Sequence, residues 1–268
     1  ALYGGSDALK GVCVFSDPSL RSSRWSLTAV GGCGRDQYTH RLASRTYEAD
    51  YVQGGIGFGY DWGVLSTEAM IRYRHWDVRI ADDSVPEGTT GYGEPELTVQ
   101  YTDTRLVGVL EVGTEAQLSA RMLVGTPGWE ISGSAAHSML LFDRYRLRLL
   151  ISAGYAQMPT LAERTIDSQD GFRTLPYREA TADRWVSISS GCDIPIIKTS
   201  WSQLVITCAF EYGMYGTDTI TSHPFFGPSL GARLYLQKIA LPALGVDIAR
   251  NLHDEFWSFS FTIGMQIR

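Results

Sequence analysis

Arginines and carboxylates at alternate positions carry most of the chemistry this chain could do. Arg72 and Arg74, then Arg121, then Arg146 and Arg148 lie on the polar side of segments whose every second residue is apolar. Asp193, Glu211 and Asp247 follow the same rule further along, with Glu48, Asp50, Glu68, Glu130 and Arg233 interspersed. Arginine keeps its charge at any working pH, so a basic wall facing an acidic one across water would concentrate small anions. Packed across a narrow interior, the same groups would instead close it with ion pairs. Both readings stand on the sequence.

The histidines and cysteines offer less. His137 and Ser138 are adjacent, and consecutive strand residues point to opposite faces, so they form no nucleophile and base pair. His75 with Asp77, and His223 with Asp218, fall near segment ends where rim chemistry with Asp82 or Asp83 could occur, although polar loops meeting water is the plainer reading. His253 and Asp254 read as a turn cap. Gly54, Gly55, Gly57 and Gly59 have G-x-G spacing with no helix to follow, which fails as a phosphate loop and fits strand curvature. Cys13, Cys33, Cys192 and Cys208 show no C-x-x-C pair and no histidine at zinc-ligand distance, so they read as small apolar fillers, with one or two disulfides in an oxidising compartment as the alternative. Cys192 and Cys208 flank a turn near 198–202 at matching distances and are expected side by side, unbonded. No catalytic residue, cofactor or metal is expected from these patterns.

The elements that position these residues repeat every two residues, the period of a strand with two different faces. The last segment is clearest: Trp257, Phe259, Phe261, Ile263, Met265 and Ile267 alternate with Ser258, Ser260, Thr262, Gly264, Gln266 and Arg268. The same test predicts strands over 24–34, 45–61, 64–80, 96–112, 114–126, 129–142, 144–158, 183–195, 200–215, 226–238, 241–250 and 254–268. Short turns alternate with longer polar connections, among them 81–95 and 159–182, and no helix-length segment is left over.

The chain has 268 residues, 44% apolar and 19% charged, with a net charge of −6. This excludes disorder, a collagen-like repeat and a polybasic nucleic-acid binder. No unbroken apolar run exceeds four residues, as at 139–142, far short of the about 20 a membrane-crossing helix needs. Lys10, Lys198 and Lys238 are the only lysines among 23 basic residues, so the basic inventory is arginine, suited to fixed pairs rather than to a wet exterior. Predicted strands of roughly 11–17 residues exceed the about 5–6 usual in soluble domains and suit a tilted membrane crossing of about 9–11. The polar faces are rich in Gly, Ser and Thr, and aromatics such as Tyr60, Trp62, Tyr145, Tyr155 and Trp257 fall near strand ends. Together these point to an apolar face turned outward. A start at Ala1 without Met fits a mature product cut after a small residue.

On these long two-faced strands, the loop rhythm and the last segment, the chain resembles bacterial outer-membrane β-barrels. Thr262, Gly264 and Ile267 fall in place for that class's C-terminal assembly signal, and Arg268 stands where the chain ends, one residue before the expected aromatic. The resemblance implies an all-β, closed antiparallel transmembrane up-and-down barrel of about twelve strands (10–14) in the outer membrane, with periplasmic termini. Residues 1–23 would be a periplasmic extension or plug and 24–268 one barrel domain. The implied partners are outer-membrane lipid, small solutes or ions, and the barrel-assembly machinery during biogenesis, with no nucleic acid. The reading that follows is a narrow channel for ions or small anions, lined by Arg72, Arg74, Arg121, Arg146, Arg148, Glu68, Asp193, Glu211, Arg233 and Asp247, with no covalent chemistry. One alternative is a closed barrel displaying loops for adhesion or anchoring. The other rests on a looser resemblance to omptins, the outer-membrane proteases, carried by residues 143–155, by Asp170, Gly171, Phe172 and Arg173, and by the hairpin before His223. Omptins act through acids and histidines at the rim, and here Thr221 stands where the acid two before the histidine belongs.

Overall fold

Val, Ile, Thr and aromatic side chains at every second position favour extended backbone, where branched and ring side chains pack on a pleated surface. The computed structural model describes residues 2–5, 8–20, 23–40, 45–80, 88–142, 144–159, 165–166, 172–175, 180–216, 222–236 and 239–263. They form β1 (Leu2–Gly5), β2 (Ala8–Asp17), β3 (Trp25–His40), β4 (Arg45–Asp61), β5 (Leu65–Ile80), β6 (Gly88–Val107), β7 (Leu110–Met122) and β8 (Trp129–Leu141). Then follow β9 (Tyr145–Gln157), β10 (Thr165–Ile166), β11 (Ala180–Thr181), β12 (Arg184–Lys198), β13 (Ser202–Gly216), β14 (His223–Leu236), β15 (Ile239–Arg250) and β16 (Trp257–Ile263). Fourteen of these make one antiparallel sheet in chain order, while β10 and β11 pair separately. Among the described residues β1 pairs only with β2, and β16 only with β15.

The twelve expected segments correspond to twelve of these strands, with two differences of substance. Residues 1–23, expected as an extension or plug, contain β1 and β2, and β2 is hydrogen-bonded along β3 from Leu9↔Arg35 to Asp17↔Leu27. They escaped the period-two test because successive residues there are both apolar, as with Val14 and Phe15, each 61% exposed. The sixth strand begins at Gly88 and turns at Gly108, where the backbone has a φ of +67°, and not at Gly113. Gly113 lies inside β7 with a φ of +130°, its Cα side pressed by the Asp103 carbonyl of β6. The alternation of faces changes parity there: Leu110 and Val112 are buried before it, Leu123 after it. The C-terminal signal residues Gly264, Ile267 and Arg268 lie outside the described residues.

The sheet is inside out relative to a soluble sandwich. Ile71 is 64% exposed while Glu94 on the neighbouring strand is 0% exposed, and Ile131, Ile151, Ile188, Phe210, Leu230 and Phe259 are exposed in the same sense. The opposite face carries buried Glu130, Ser132, Ser187, Asp193, Thr207 and Glu211. Apolar side chains turn inward mainly toward the strand ends. At the long-loop end Tyr51, Trp76, Val78, Tyr92 and Leu123 pack together, with Trp76 Nε1 donating to Tyr92 OH at 3.0 Å. At the short-turn end Val109 and Leu110 pack with Val205 and Tyr235, which joins β7 to β13 and β14 across the interior of a curled sheet. On the outer face, Trp25, Tyr60 and Trp62 form a chain of ring contacts near the short turns, with centroids 4.9 and 4.6 Å apart.

Candidate functional site

Register decides which inward charges meet. Arg72 on β5 is the Cα partner of Glu94 on β6, Glu96 of Arg121 on β7, Arg121 of Glu130 on β8, and Arg146 on β9 of Asp193 on β12. The side chains follow. Arg72 pairs with Glu96, whose other oxygen accepts from Ser119 Oγ at 2.7 Å. Arg121 Nη2 donates to Glu130 Oε2 at 2.6 Å, and Arg74 and Arg121 each lie 3.6 Å from the fully buried Glu94. Arg148 Nη2 donates to Glu115 at 3.3 Å. Arg146 Nε donates to Asp193 Oδ2 at 2.6 Å and its Nη1 to the Glu111 carbonyl at 3.0 Å, while Thr207 Oγ1 donates to Asp193 Oδ1 at 2.6 Å. Gly55 makes room for this layer, since a Cβ there would lie 2.6 Å from Arg72 Cγ and 2.9 Å from the Ile71 carbonyl.

The five arginines expected as a basic wall therefore lie inward, each against a carboxylate, which a neighbouring strand supplies for four of them and β7, across β8, supplies for Arg148 on β9. Asp193, expected on a separate acidic wall, is one of those carboxylates. Arg233 and Asp247 meet at 3.6 Å between β14 and β15. Glu68 faces inward with Oε1 buried and no hydrogen-bond partner among the described residues. Asp50 lies on the outer face instead, because Ala49 and Tyr51 on either side are buried, and it pairs there with Arg35 at 3.0 Å and with Arg79. Glu48, 3.4 Å from Arg35, sits at a register shift beside it. Glu94, Glu96 and Glu115 are the acids that sequence reasoning missed. The polar alternation of Thr98 and Gln100 runs back through Glu96, which opens the expected 96–112 strand, to Glu94, which Pro95 and flanking glycines disguise as loop.

Glu211 meets a different kind of partner. It accepts from Thr174 N at 2.9 Å and Thr174 Oγ1 at 2.7 Å. Thr174 belongs to residues 172–175 of the long connection before β12, which lie against the inner face. Phe172 and Leu175 are buried with Trp185, Tyr215 and Phe225, Ser258 Oγ donates to the Arg173 carbonyl at 2.6 Å, and Arg173 Nη1 reaches Ser229 Oγ at 3.4 Å. Burial lowers the Arg173 guanidinium from its ordinary value and Arg233 lowers it further, while Asp247, Asp193 and Glu211 oppose the shift.

At the long-loop rim His223 Nε2 lies 3.0 Å from Asp254 Oδ1, and the His223 and His253 rings stand edge to face with centroids 5.0 Å apart. Asn251, fully buried, fixes this turn: its Nδ2 donates to Asp254 Oδ2 at 2.9 Å, and its Oδ1 accepts from the backbone N–H groups of His253 and Asp254. His253 and Asp254 thus do more than cap a turn. His137 and Ser138 diverge as expected, His137 Nδ1 to Thr114 Oγ1 at 2.9 Å and Ser138 Oγ to the Glu111 carbonyl at 3.1 Å. Asp82, Asp83, Asp170, Gly171, Asp218 and Thr221 lie outside the described residues. Cys192 and Cys208 are direct register partners and unbonded.

The fourteen antiparallel strands in chain order superpose on solved outer-membrane proteins. BamA from Haemophilus ducreyi lacking POTRA domains 1–3 superposes with a TM-score of 0.71 at 11% identity, over 96% of this chain. The fold is that of a bacterial outer-membrane β-barrel. CdiB from Acinetobacter baumannii gives a TM-score of 0.66 at 14% identity over 95% of the barrel chain. The chain spans 62% of the first protein's length and 50% of the second's. An outer membrane channel from Pseudomonas putida F1 gives 0.33 at 13% identity, covering 97% of this chain and 94% of its own, which is too low to bear on the barrel's architecture. No family model and no curated protein matches the sequence.

Proposed function

We propose that the sheet closes in the bacterial outer membrane as a barrel filled by its own side chains, and that it serves as an anchored platform presenting its long-loop end. The observation that carries this is the segment bearing Phe172, Arg173, Thr174 and Leu175, fastened to β13 and β14 and to Ser258 of β16, and packed on Trp185 of β12. Charge pairing supports it. A diffusion path for small anions needs a basic wall that stays uncompensated, and here Arg72, Arg121, Arg146 and Arg148 each meet a carboxylate. Outer-membrane lipid covers the exposed apolar face, the short turns face the periplasm, and the barrel-assembly machinery inserts the chain.

Conductance in planar bilayers tests the reading. The purified chain should show no steady open level, and Arg173→Ala with Thr174→Ala should raise conductance by releasing the inward segment. A stable ohmic conductance of the unaltered chain, with anion preference that falls as salt rises, would restore the channel reading. The rim hydrolase keeps one specific observation, the 3.0 Å contact of His223 with Asp254, since a water-activating base needs an acid to orient it. Cleavage of a peptide library by the unaltered chain but not by His223→Gln would favour it. We assign the barrel no covalent chemistry.

A further inference from the structure

We propose that His223, His253 and Asp254 form a binding site for one divalent transition-metal ion of the zinc class, a site separate from the packed interior. It does not rest on the platform reading. The three side chains come from the first residue of β14 and from the turn between β15 and β16, and their ligand atoms all lie within 4.8 Å of one another. The spacing fits a tetrahedral ion. With Zn–N bonds of about 2.0–2.1 Å, two imidazoles on one ion place their ring centres about 5 Å apart, and two ligand atoms lie about 3.3 Å apart. The His223 and His253 centroids are 5.0 Å apart, and His223 Nε2 is 3.0 Å from Asp254 Oδ1. The three ligand atoms, all within 4.8 Å of one another, would draw together around the ion.

The donor set and its supports select the class of ion. Two imidazoles and one carboxylate suit zinc, cobalt, nickel or copper, whereas calcium and magnesium take oxygen ligands. His223 Nε2 lies 3.0 Å from Asp254 Oδ1 and 3.2 Å from Oδ2, and because the Asn251 amide donates to Oδ2, Oδ1 is the ligand atom. Metal-bound carboxylates and imidazoles are commonly oriented by such outer hydrogen bonds. Tyr215 flanks His223 with ring centroids 5.2 Å apart and limits its rotation. His253 and Asp254 are exposed, so the site is open to solvent and three protein ligands leave a position for water. A bound ion would pin the start of β14 to the β15–β16 turn.

The test is titration of the folded, chelator-treated full chain in detergent with zinc chloride, read by calorimetry, with cobalt as a visible-absorption probe of tetrahedral nitrogen and oxygen ligation. One ion per chain is expected, with a rise in Tm on adding zinc. His253→Gln, an exposed position that leaves the fold intact by far-UV dichroism, should weaken binding by roughly tenfold or more and abolish the Tm rise. His223→Gln should do the same, and His137→Gln, on a remote strand, should bind as the unaltered chain does. No saturable zinc binding, or binding by His253→Gln and His223→Gln as tight as that of the unaltered chain, would overturn the proposal and leave His223 and Asp254 as a hydrogen-bonded latch.

Discussion

Between β5 and β9 the inward arginines meet carboxylates on the next strand or, for Arg148 with Glu115, the next but one, whereas on β13 the inward Glu211 is held by Thr174, 37 residues earlier and on no strand of the large sheet. In the first region neutrality is a property of pairing, and it forms as the strands zip together. In the second it depends on a loop segment docking after the wall exists. The first is therefore costly to break, because a lost partner strands a charge the sheet cannot move, while the second can be undone by withdrawing the segment into water.

The largest test of this contrast is Asp193→Ala, which leaves Arg146 buried and Thr207 without its acceptor. Stability to urea in detergent should fall by about 3–5 kcal/mol, and Arg146→Met added to it should recover much of the loss. Next come charges placed on the outer face. Ile71→Arg in the first region and Ile188→Arg in the second should each cost about 2–4 kcal/mol in lipid near mid-membrane. Equal tolerance of arginine on both faces would mean the faces were wrongly assigned. Thr174→Val removes the hydroxyl bond to Glu211, keeps the backbone one, and should cost about 1–3 kcal/mol, with faster proteolysis confined to the 159–182 connection. A uniform loss of protection would mean the segment belongs to the cooperative wall. Smallest is Cys208→Ser on the outer face, within about 0.5 kcal/mol, and mass mapping without reductant should find no bridge to Cys192.

What could be read from the sequence divides along the same line. Twelve strands and the outward apolar face were visible because alternation is local, and the opposition of Cys192 and Cys208 followed from counting out from a turn. Arg146 and Asp193 were both marked as inward, but not as partners, since the register of β9 against β12 spans a long connection. Pro95 hid Glu94, and an unbroken apolar stretch hid β2. The Thr174 clasp on Glu211 and the meeting of His223 with Asp254, 31 residues apart, have no local period at all. The first comes from a docked loop segment and the second from the pairing of β14 with β15, which sets the start of β14 beside the β15–β16 turn.

Tyr145 and Tyr155 stand ten residues apart on the outer face of β9, Tyr155 in ring contact with Trp129 at 5.4 Å. At about 3.4 Å per residue they are about 34 Å apart along the strand, and a tilt near 45° reduces this to about 24 Å of height. Interfacial aromatics at both ends make β9 a gauge of bilayer thickness. That height fits a bilayer thinner than average, as the bacterial outer membrane is. Short-chain lipids should accept the barrel without deformation, and long-chain ones should crowd it into clusters.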